Sequence, residues 1–382
     1  MNTITDKNEV KKWEEVKKIQ EDWINRLVDQ NSLDYQMIRS AVVIAGTCVG
    51  FLSNEVIKDM SFDYVIIDEA AKATTPELLV SIIKAKKIIL VGDQNQLPAY
   101  ADAEVSPTLA KLTKNPDYRL FDILYNSLPD THKQILTTQY RMIENIGNLI
   151  SKVFYRGIID TGCNDDEKRH GLSRYVGKSI VWFDTSANKK KSQKRTKGGS
   201  YINEEEKRII LEILDDLKST GELKGLDIGI ITGYSGQKEL LRKSIKATGL
   251  DKIASKIDIN TLDAFQGREN DIIIYSTVRT RDSIGFQKEK ERVNVAFLEQ
   301  KKLLIVCGDK NFFYNFDDQD NKFVEIIDYI SEEEECEIIQ CDGGSYLKEN
   351  LIHKWVTNIV RQNDGYEFCL MMKYIYQFIN MH

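Results

Sequence analysis

No stretch of the 382-residue sequence fits G-x-x-x-x-G-K-[ST], the glycine-rich loop whose backbone cradles nucleotide phosphates. Its nearest imitation is Gly177-Lys178-Ser179. There the preceding glycine, Gly171, lies one residue too far upstream, and the segment enters a strand instead of opening a helix. Histidine is scarce at four residues, and His132, His353 and His382 stand isolated, which gives no ligand set. The six cysteines lack zinc-ligand spacing, so neither a structural metal nor a disulfide is expected. Apolar runs such as Ile88 to Val91 and Leu303 to Cys307 are far too short to cross a bilayer, and Met1 to Val10 lacks the apolar region of a signal peptide. A cytoplasmic or otherwise intracellular protein with no membrane partner is the expectation. The net charge of −6 provides no global positive field, so any nucleic-acid binding must rely on local basic surface.

What is present is a strand and helix alternation. Residues 1–40 read as an amphipathic helical lead-in, with Val10, Trp13, Val16, Ile19, Trp23 and Leu27 at three- and four-residue spacing. From residue 41 to 157, strands at Ala41 to Ala45, Tyr64 to Ile67, Ile88 to Val91 and Gln134 to Thr138 alternate with helices starting near Pro76 and spanning Ile143 to Val153. The alternation restarts over 178–310. It comprises strand Ser179 to Phe183, a helix from Asn203, strand Ile228 to Thr232, a helix from Ser235, strands Ile257 to Thr261 and Ile272 to Ser276, a helix to Gln300, and strand Leu303 to Cys307. Asn203 with Glu206 three residues on reads as a reciprocal helix cap. Lys189 to Lys197 forms a basic loop, open to reading as a phosphate contact or a solvated insertion. Residues 311–382, with the acidic run Glu332 to Glu335 and the aromatic segment Trp355 to Phe378, read as a C-terminal extension without assigned chemistry.

The residues that carry chemistry begin with Tyr-Val-Ile-Ile-Asp68-Glu69-Ala-Ala. A parallel strand delivers both acids at its carboxyl end, where open α/β sheets bind ligands. Such a pair can ligate magnesium and orient the water that attacks a triphosphate. Some twenty residues later a second apolar strand runs into Gly92-Asp93-Gln94-Asn95-Gln96-Leu97-Pro98, where the glycine permits a tight turn and Gln96 offers an amide to a phosphate or a water.

In this order the motifs resemble those of the superfamily 1 nucleic-acid helicases, above all the branch that includes the RNA-surveillance helicase of nonsense-mediated decay. Thr47-Cys48-Val49-Gly50 is similar to the single-strand contact, Asp68 to Ala71 to the second motif, Gly92 to Pro98 to the third, and Gln139-Tyr140-Arg141-Met142 to the fourth. Thr232-Gly233-Tyr234 stands where the family has Thr-Pro-Tyr, and Asp263 to Glu269, including Gly267, resembles the fifth motif. The resemblance covers about residues 13 to 309. It implies an α/β architecture of two RecA-like parallel-sheet domains, the first truncated at its amino terminus. It also implies ATP and magnesium as cofactors, single-stranded DNA or RNA as partner, and ATP-dependent unwinding or translocation. Asp68 would ligate magnesium, Glu69 would polarise the water, and Gln96 would sense the γ-phosphate. Arg141 would reach the phosphates, Tyr140 would stack on the base beside Gln139, and Glu269 would contact the ribose. Thr47, Thr232, Tyr234 and Thr261 would meet the nucleic-acid strand.

Two departures bear on activity. The family's phosphate loop precedes the first of these motifs by more than a hundred residues, yet Met1 stands 46 positions before Thr47, so an incomplete first domain is expected. The sixth motif, normally Asn-Val-Ala-Leu-Thr-Arg-Ala-Lys, is here Asn294 to Lys301 with Glu299 at the arginine-finger position. Three readings follow: a motor chain completed by a longer reading frame or a separately encoded amino-terminal segment, a non-catalytic nucleic-acid or partner-binding module, or a decaying fragment with exposed apolar surface.

Overall fold

Short apolar strands and amphipathic helices condense into two units: residues 1–94 with 98–129, and residues 95–97 with 130–382. The structure is a computed structural model and describes residues 7–28, 30–98, 119–164, 169–222, 225–250, 256–265 and 267–344. The aromatic segment Trp355 to Phe378, with His353 and His382, lies outside them, as does Gln266.

In the first unit, helices Lys7–Val28 and Gln30–Ser40 precede strand β1 (Phe62–Ile67). The apolar stripe of the first helix is exposed, with Trp13 and Trp23 both beyond 60%. Strand β1 pairs in parallel with β2 (Ala85–Leu90), Tyr64 opposite Lys87 and Ile66 opposite Ile89. The intervening helix Thr75–Ile82 carries Pro76 in its first turn and a capping box between Thr74 and Glu77. A small core of Val65, Ile67, Ala70, Ala71, Leu78 and Phe121 fills one side of the strand pair. The strand expected at Ala41 to Ala45 is not formed: Val42 and Val43 are exposed and find no ladder partner among the described residues.

The second unit opens with β3 (Thr138–Gln139), where the expected strand Gln134 to Thr138 shrinks to two residues paired with β4 (Asp160–Thr161). Its main sheet takes β5 (Ile180–Asp184). The hairpin of β6 (Lys194–Arg195) and β7 (Tyr201–Ile202) follows. Then β8 (Asp227–Thr232), β9 (Lys256–Thr261), β10 (Asn270–Ser276), β11 (Gln300–Gly308) and β12 (Cys336–Gln340) complete it. The order is β12-β5-β11-β10-β8-β9, with every pair parallel. Alternation along the strands divides their side chains between two cores. Ile273, Tyr275, Trp182 and Val306 face one core with helices Glu144–Phe154, Lys290–Ala296 and Lys322–Glu332. Ile272, Ile274, Val181 and Ile305 face the other with helices Glu204–Ser219 and Ser235–Thr248. Cover on both faces is what a parallel sheet requires.

Three boundaries differ from expectation. The units divide at residue 129/130 and not between 157 and 178, because Ile146, Leu149 and Ile150 of helix Glu144–Phe154 pack into the second unit's core. The helix expected to reach Gln300 ends at Ala296, and β11 begins at Gln300. The second domain does not stop at residue 310: Lys322–Glu332 buries Phe323, Ile326 and Ile330, and β12 adds an edge strand. The basic loop is partly tied down as well, since Lys191 Nζ lies 2.7 Å from the buried Asp309 Oδ2.

Candidate nucleotide and nucleic-acid site

In the first unit, Asp68 and Glu69 are exposed at the carboxyl end of β1. Asp68 Oδ1 accepts the Glu69 amide at 3.0 Å, and Glu69 adopts φ 53° in the left-handed region, a conformation costly outside glycine. Beside them Ala70 N donates to Val91 O at 2.8 Å, which carries the ladder past the strand into the Gly92 turn. A Cβ on Gly92 would lie 2.8 Å from Ala71 N and 3.2 Å from the Phe121 ring, so the close passage of the two motif backbones demands glycine. Adjacent carboxylates with open surface suit magnesium, which keeps several waters and shares phosphate oxygens with one or two acids. Thr47 is exposed; its Oγ1 accepts Gly50 N at 3.0 Å, which leaves the hydroxyl proton to donate.

In the second unit, Gln96 is half-buried within a segment whose Asn95 carbonyl accepts Asn294 Nδ2 of the sixth motif at 2.8 Å. Gln139 does not extend toward a ligand. Its Oε1 accepts the Arg141 and Met142 amides, both at 2.9 Å, and its Nε2 donates to Met142 O and Thr161 Oγ1, so the side chain builds the turn that displays its neighbours. Tyr140 is 68% exposed, and a Cβ on Gly162 would meet its ring at 2.4 Å. Arg141 reaches across the unit to three partners. Its Nε donates to Glu269 Oε1 at 3.2 Å, and its Nη1 to Glu299 Oε2 at 3.2 Å and Leu298 O at 3.3 Å. Lys301 Nζ lies 2.9 Å from the other Glu269 oxygen. Lys301, with Arg141 behind it, holds Glu269 below the usual carboxylate range. Gly267, at φ 80°, turns its amide onto Glu299 Oε1 at 3.1 Å.

Two of the expected strand contacts lie inside the protein. Thr232 is fully buried, and Tyr234 is 8% exposed between Tyr201 and Phe286 at centroid distances of 5.5 and 4.8 Å. Thr232 ends β8 between β10 and β9, and at Gly233, which stands where the family has proline, the Phe286 ring that packs on Tyr234 lies 1.5 Å from the ideal position of a Cβ. Burial pushes the Tyr234 phenol up to about 12. Thr261 remains half-buried at the end of β9.

The reciprocal cap at Asn203 is also redirected. Asn203 Oδ1 accepts the Glu205 and Glu206 amides, but its own amide donates to Gln237 Oε1. The fully buried Glu206 accepts Asn203 Nδ2 at 3.1 Å and, beyond the cap, Val278 N on both oxygens at 2.9 Å and Ser276 Oγ at 2.6 Å. Burial pushes its carboxyl up to about 8. Val278, two residues beyond the end of β10, is held at φ 70°, a rare conformation for a β-branched residue. The Asn203/Glu206 spacing marks a cap but carries no sign of this tertiary use.

Residues 117–311 match a family described as an AAA domain, and residues 2–103 match a second with the same description. An uncharacterized ATP-dependent helicase of Methanocaldococcus jannaschii is 31% identical over 319 residues, 80% of this chain and 44% of that protein. The ATP-dependent helicase upf1 of Schizosaccharomyces pombe is 33% identical over 283 residues, 72% of this chain and 29% of that protein. Helicase SEN1 of Saccharomyces cerevisiae is 32% identical over 299 residues, 74% of this chain and 13% of that protein. The chain thus spans less than half the length of these relatives. Among solved structures, an arterivirus helicase complexed with DNA overlaps 68% of this chain and 41% of its own at 14% identity and a TM-score of 0.33, too loose a likeness to transfer detail. With its ordered motifs carried on two α/β units, the chain belongs to the superfamily 1 helicases, in the branch of the RNA-surveillance helicases.

Proposed function

We propose that the chain is the greater part of a helicase motor core that couples ATP hydrolysis to movement on single-stranded DNA or RNA. The observation that carries this reading is Asp68 and Glu69 at the open end of β1, with the Gly92 turn packed against Ala71. Asp68 would hold magnesium, whose charge offsets that of the phosphate oxygens when it is bound. Glu69 would orient the attacking water, and Gln96 would sense the phosphate. Arg141 would offset phosphate charge, and exposed Tyr140 would stack on the base. Thr47, with a hydroxyl proton to donate, is the best-placed of the proposed strand contacts, followed by Thr261; the burial of Thr232 and Tyr234 gives those two an internal role. No membrane partner enters the reading, and among the described residues no helix is long and apolar enough to cross a membrane.

Because the 382 residues contain no phosphate-loop motif, full turnover requires that loop from a preceding or separately encoded segment. ATP hydrolysis is to be measured with and without single-stranded DNA or RNA, on this chain and on a chain completed with a phosphate-loop segment. Stimulated turnover is expected only from the completed chain, and Glu69→Gln should abolish it; turnover indifferent to Glu69→Gln would refute the assignment. One observation favours a second reading, a nucleic-acid-binding module without turnover: the position of the second arginine finger is the buried Glu299. Strand binding by a completed chain that never hydrolyses ATP would select it.

A further inference from the structure

Glu299 does not simply put the wrong charge before a phosphate. Its side chain is 2% exposed, and both oxygens are engaged: Oε1 by the Gly267 amide at 3.1 Å and Oε2 by Arg141 Nη1 at 3.2 Å. Its backbone is tied too, since Asn270 N donates to Glu299 O at 3.0 Å, and two residues on Ile143 N donates to Lys301 O at 3.1 Å. Three chain segments, 139–143, 267–270 and 298–301, therefore meet around one guanidinium. The cluster of Arg141, Lys301, Glu269 and Glu299 contains two cations and two carboxylates, so its formal charge is zero.

We propose that Glu299 is a positioning residue that restrains Arg141, holding the guanidinium in a charge-compensated pose that a phosphate must displace. This rests on the reading of Arg141 as a phosphate ligand. Two consequences follow from the geometry. Removing the charge of Glu299 while keeping its shape leaves the cluster at +1, so an incoming polyanion meets a net attraction in place of a balanced pair. Restoring the arginine of the related motif does the opposite of a repair. It buries a second guanidinium against Arg141 and leaves the Gly267 amide without its carboxylate, because a cation offers no acceptor.

The test is calorimetric binding of inorganic tripolyphosphate and of ATP to the full 382-residue chain, in wild type, Glu299→Gln, Arg141→Ala and the double variant. The isosteric Glu299→Gln keeps an acceptor for Gly267 and is expected to bind tripolyphosphate about tenfold more tightly than wild type. That gain should vanish in the Arg141→Ala background, an epistasis that mere loosening of the fold would not produce. Glu299→Arg is expected to melt at lower temperature and to gain no affinity. If the anions bind wild type and Asp68→Asn weakens ATP, yet Glu299→Gln changes nothing, the restraint is refuted and the functional reading stands. A gain that persists without Arg141 also refutes it. If neither anion binds any variant of this chain or of the chain completed with a phosphate-loop segment, the restraint and the phosphate role of Arg141 fall together.

Discussion

The two units treat the same sequence signal differently. In β10, Ile272 to Ser276 are fully buried, flanked by β8 and β11 and covered by helices on both faces. In β1, Tyr64 and Ile66 are 55% and 68% exposed in a two-stranded sheet of which, among the described residues, only the opposite side meets a core. Both strands read as continuous apolar runs, the pattern of a parallel strand hidden on both sides. Pattern thus specifies what a strand is suited to, while burial depends on which neighbours arrive.

The sharpest way to break this comparison is to truncate one side chain in each sheet. Trp182→Ala, in β5 and packed edge-on against Phe323 at 6.3 Å, should cost about 3–5 kcal/mol in urea unfolding. Ile66→Ala should cost under about 0.5 kcal/mol. Equal costs would mean that β1 is covered in solution.

A second contrast concerns pH. Burial raises the folded Glu206 carboxyl from 4.5 to about 8, so between those values the folded state keeps a proton that the unfolded chain releases. The contribution is full below about pH 4.5 and is lost as pH rises through 8. Unfolding free energies from urea titrations at pH 5, 6, 7 and 8 should therefore fall, by a few kcal/mol in total, and Glu206→Gln should flatten that slope. A wild-type slope of the opposite sign would show Glu206 ionised in the fold, held so by the Val278 and Ser276 hydrogen bonds.

Smaller effects are expected at the glycines. Gly233→Ala drives a methyl into Phe286 and Gly92→Ala drives one into Ala71 and Phe121, each costing about 1–3 kcal/mol. Phe286→Ala should make Gly233→Ala nearly neutral, whereas trimming Phe121 should not rescue Gly92→Ala, whose clash is with backbone. Smallest of all, Lys86→Ala removes an ion pair to Asp63 in which both side chains are nearly 80% exposed, and thermal melting should stay within about 0.5 kcal/mol of wild type.

The sequence was most legible where local chemistry and tertiary use agree. Asp68 and Glu69 do stand at a strand end, Pro76 does open a helix, and Asn203 does cap one. It misled where a side chain was recruited by distant chain. Gln139 is held by Thr161 as well as by its own turn, Tyr234 is buried by Phe286 some fifty residues on, and Glu206 serves Val278 and Ser276 as well as its own helix start. The clues were the two departures, glycine for proline at 233 and glutamate for arginine at 299. Each named an altered position, but neither could name the partner that closes on it, because Phe286 and Arg141 are adjacent only in space. The helical pattern of Lys322–Glu332 and the strand after it were hidden by the acidic run between them.

The strand order also sets a timetable for synthesis. β5 is the first strand of the large sheet to leave the ribosome, and one of its edges is met only by β12, the last to be made. For more than 150 residues of elongation, Ile180, Val181, Trp182 and Phe183 therefore keep one row of peptide groups unpaired. A nascent chain interrupted before Cys336 would keep that adhesive edge open, so β12 acts as the built-in seal of the large sheet.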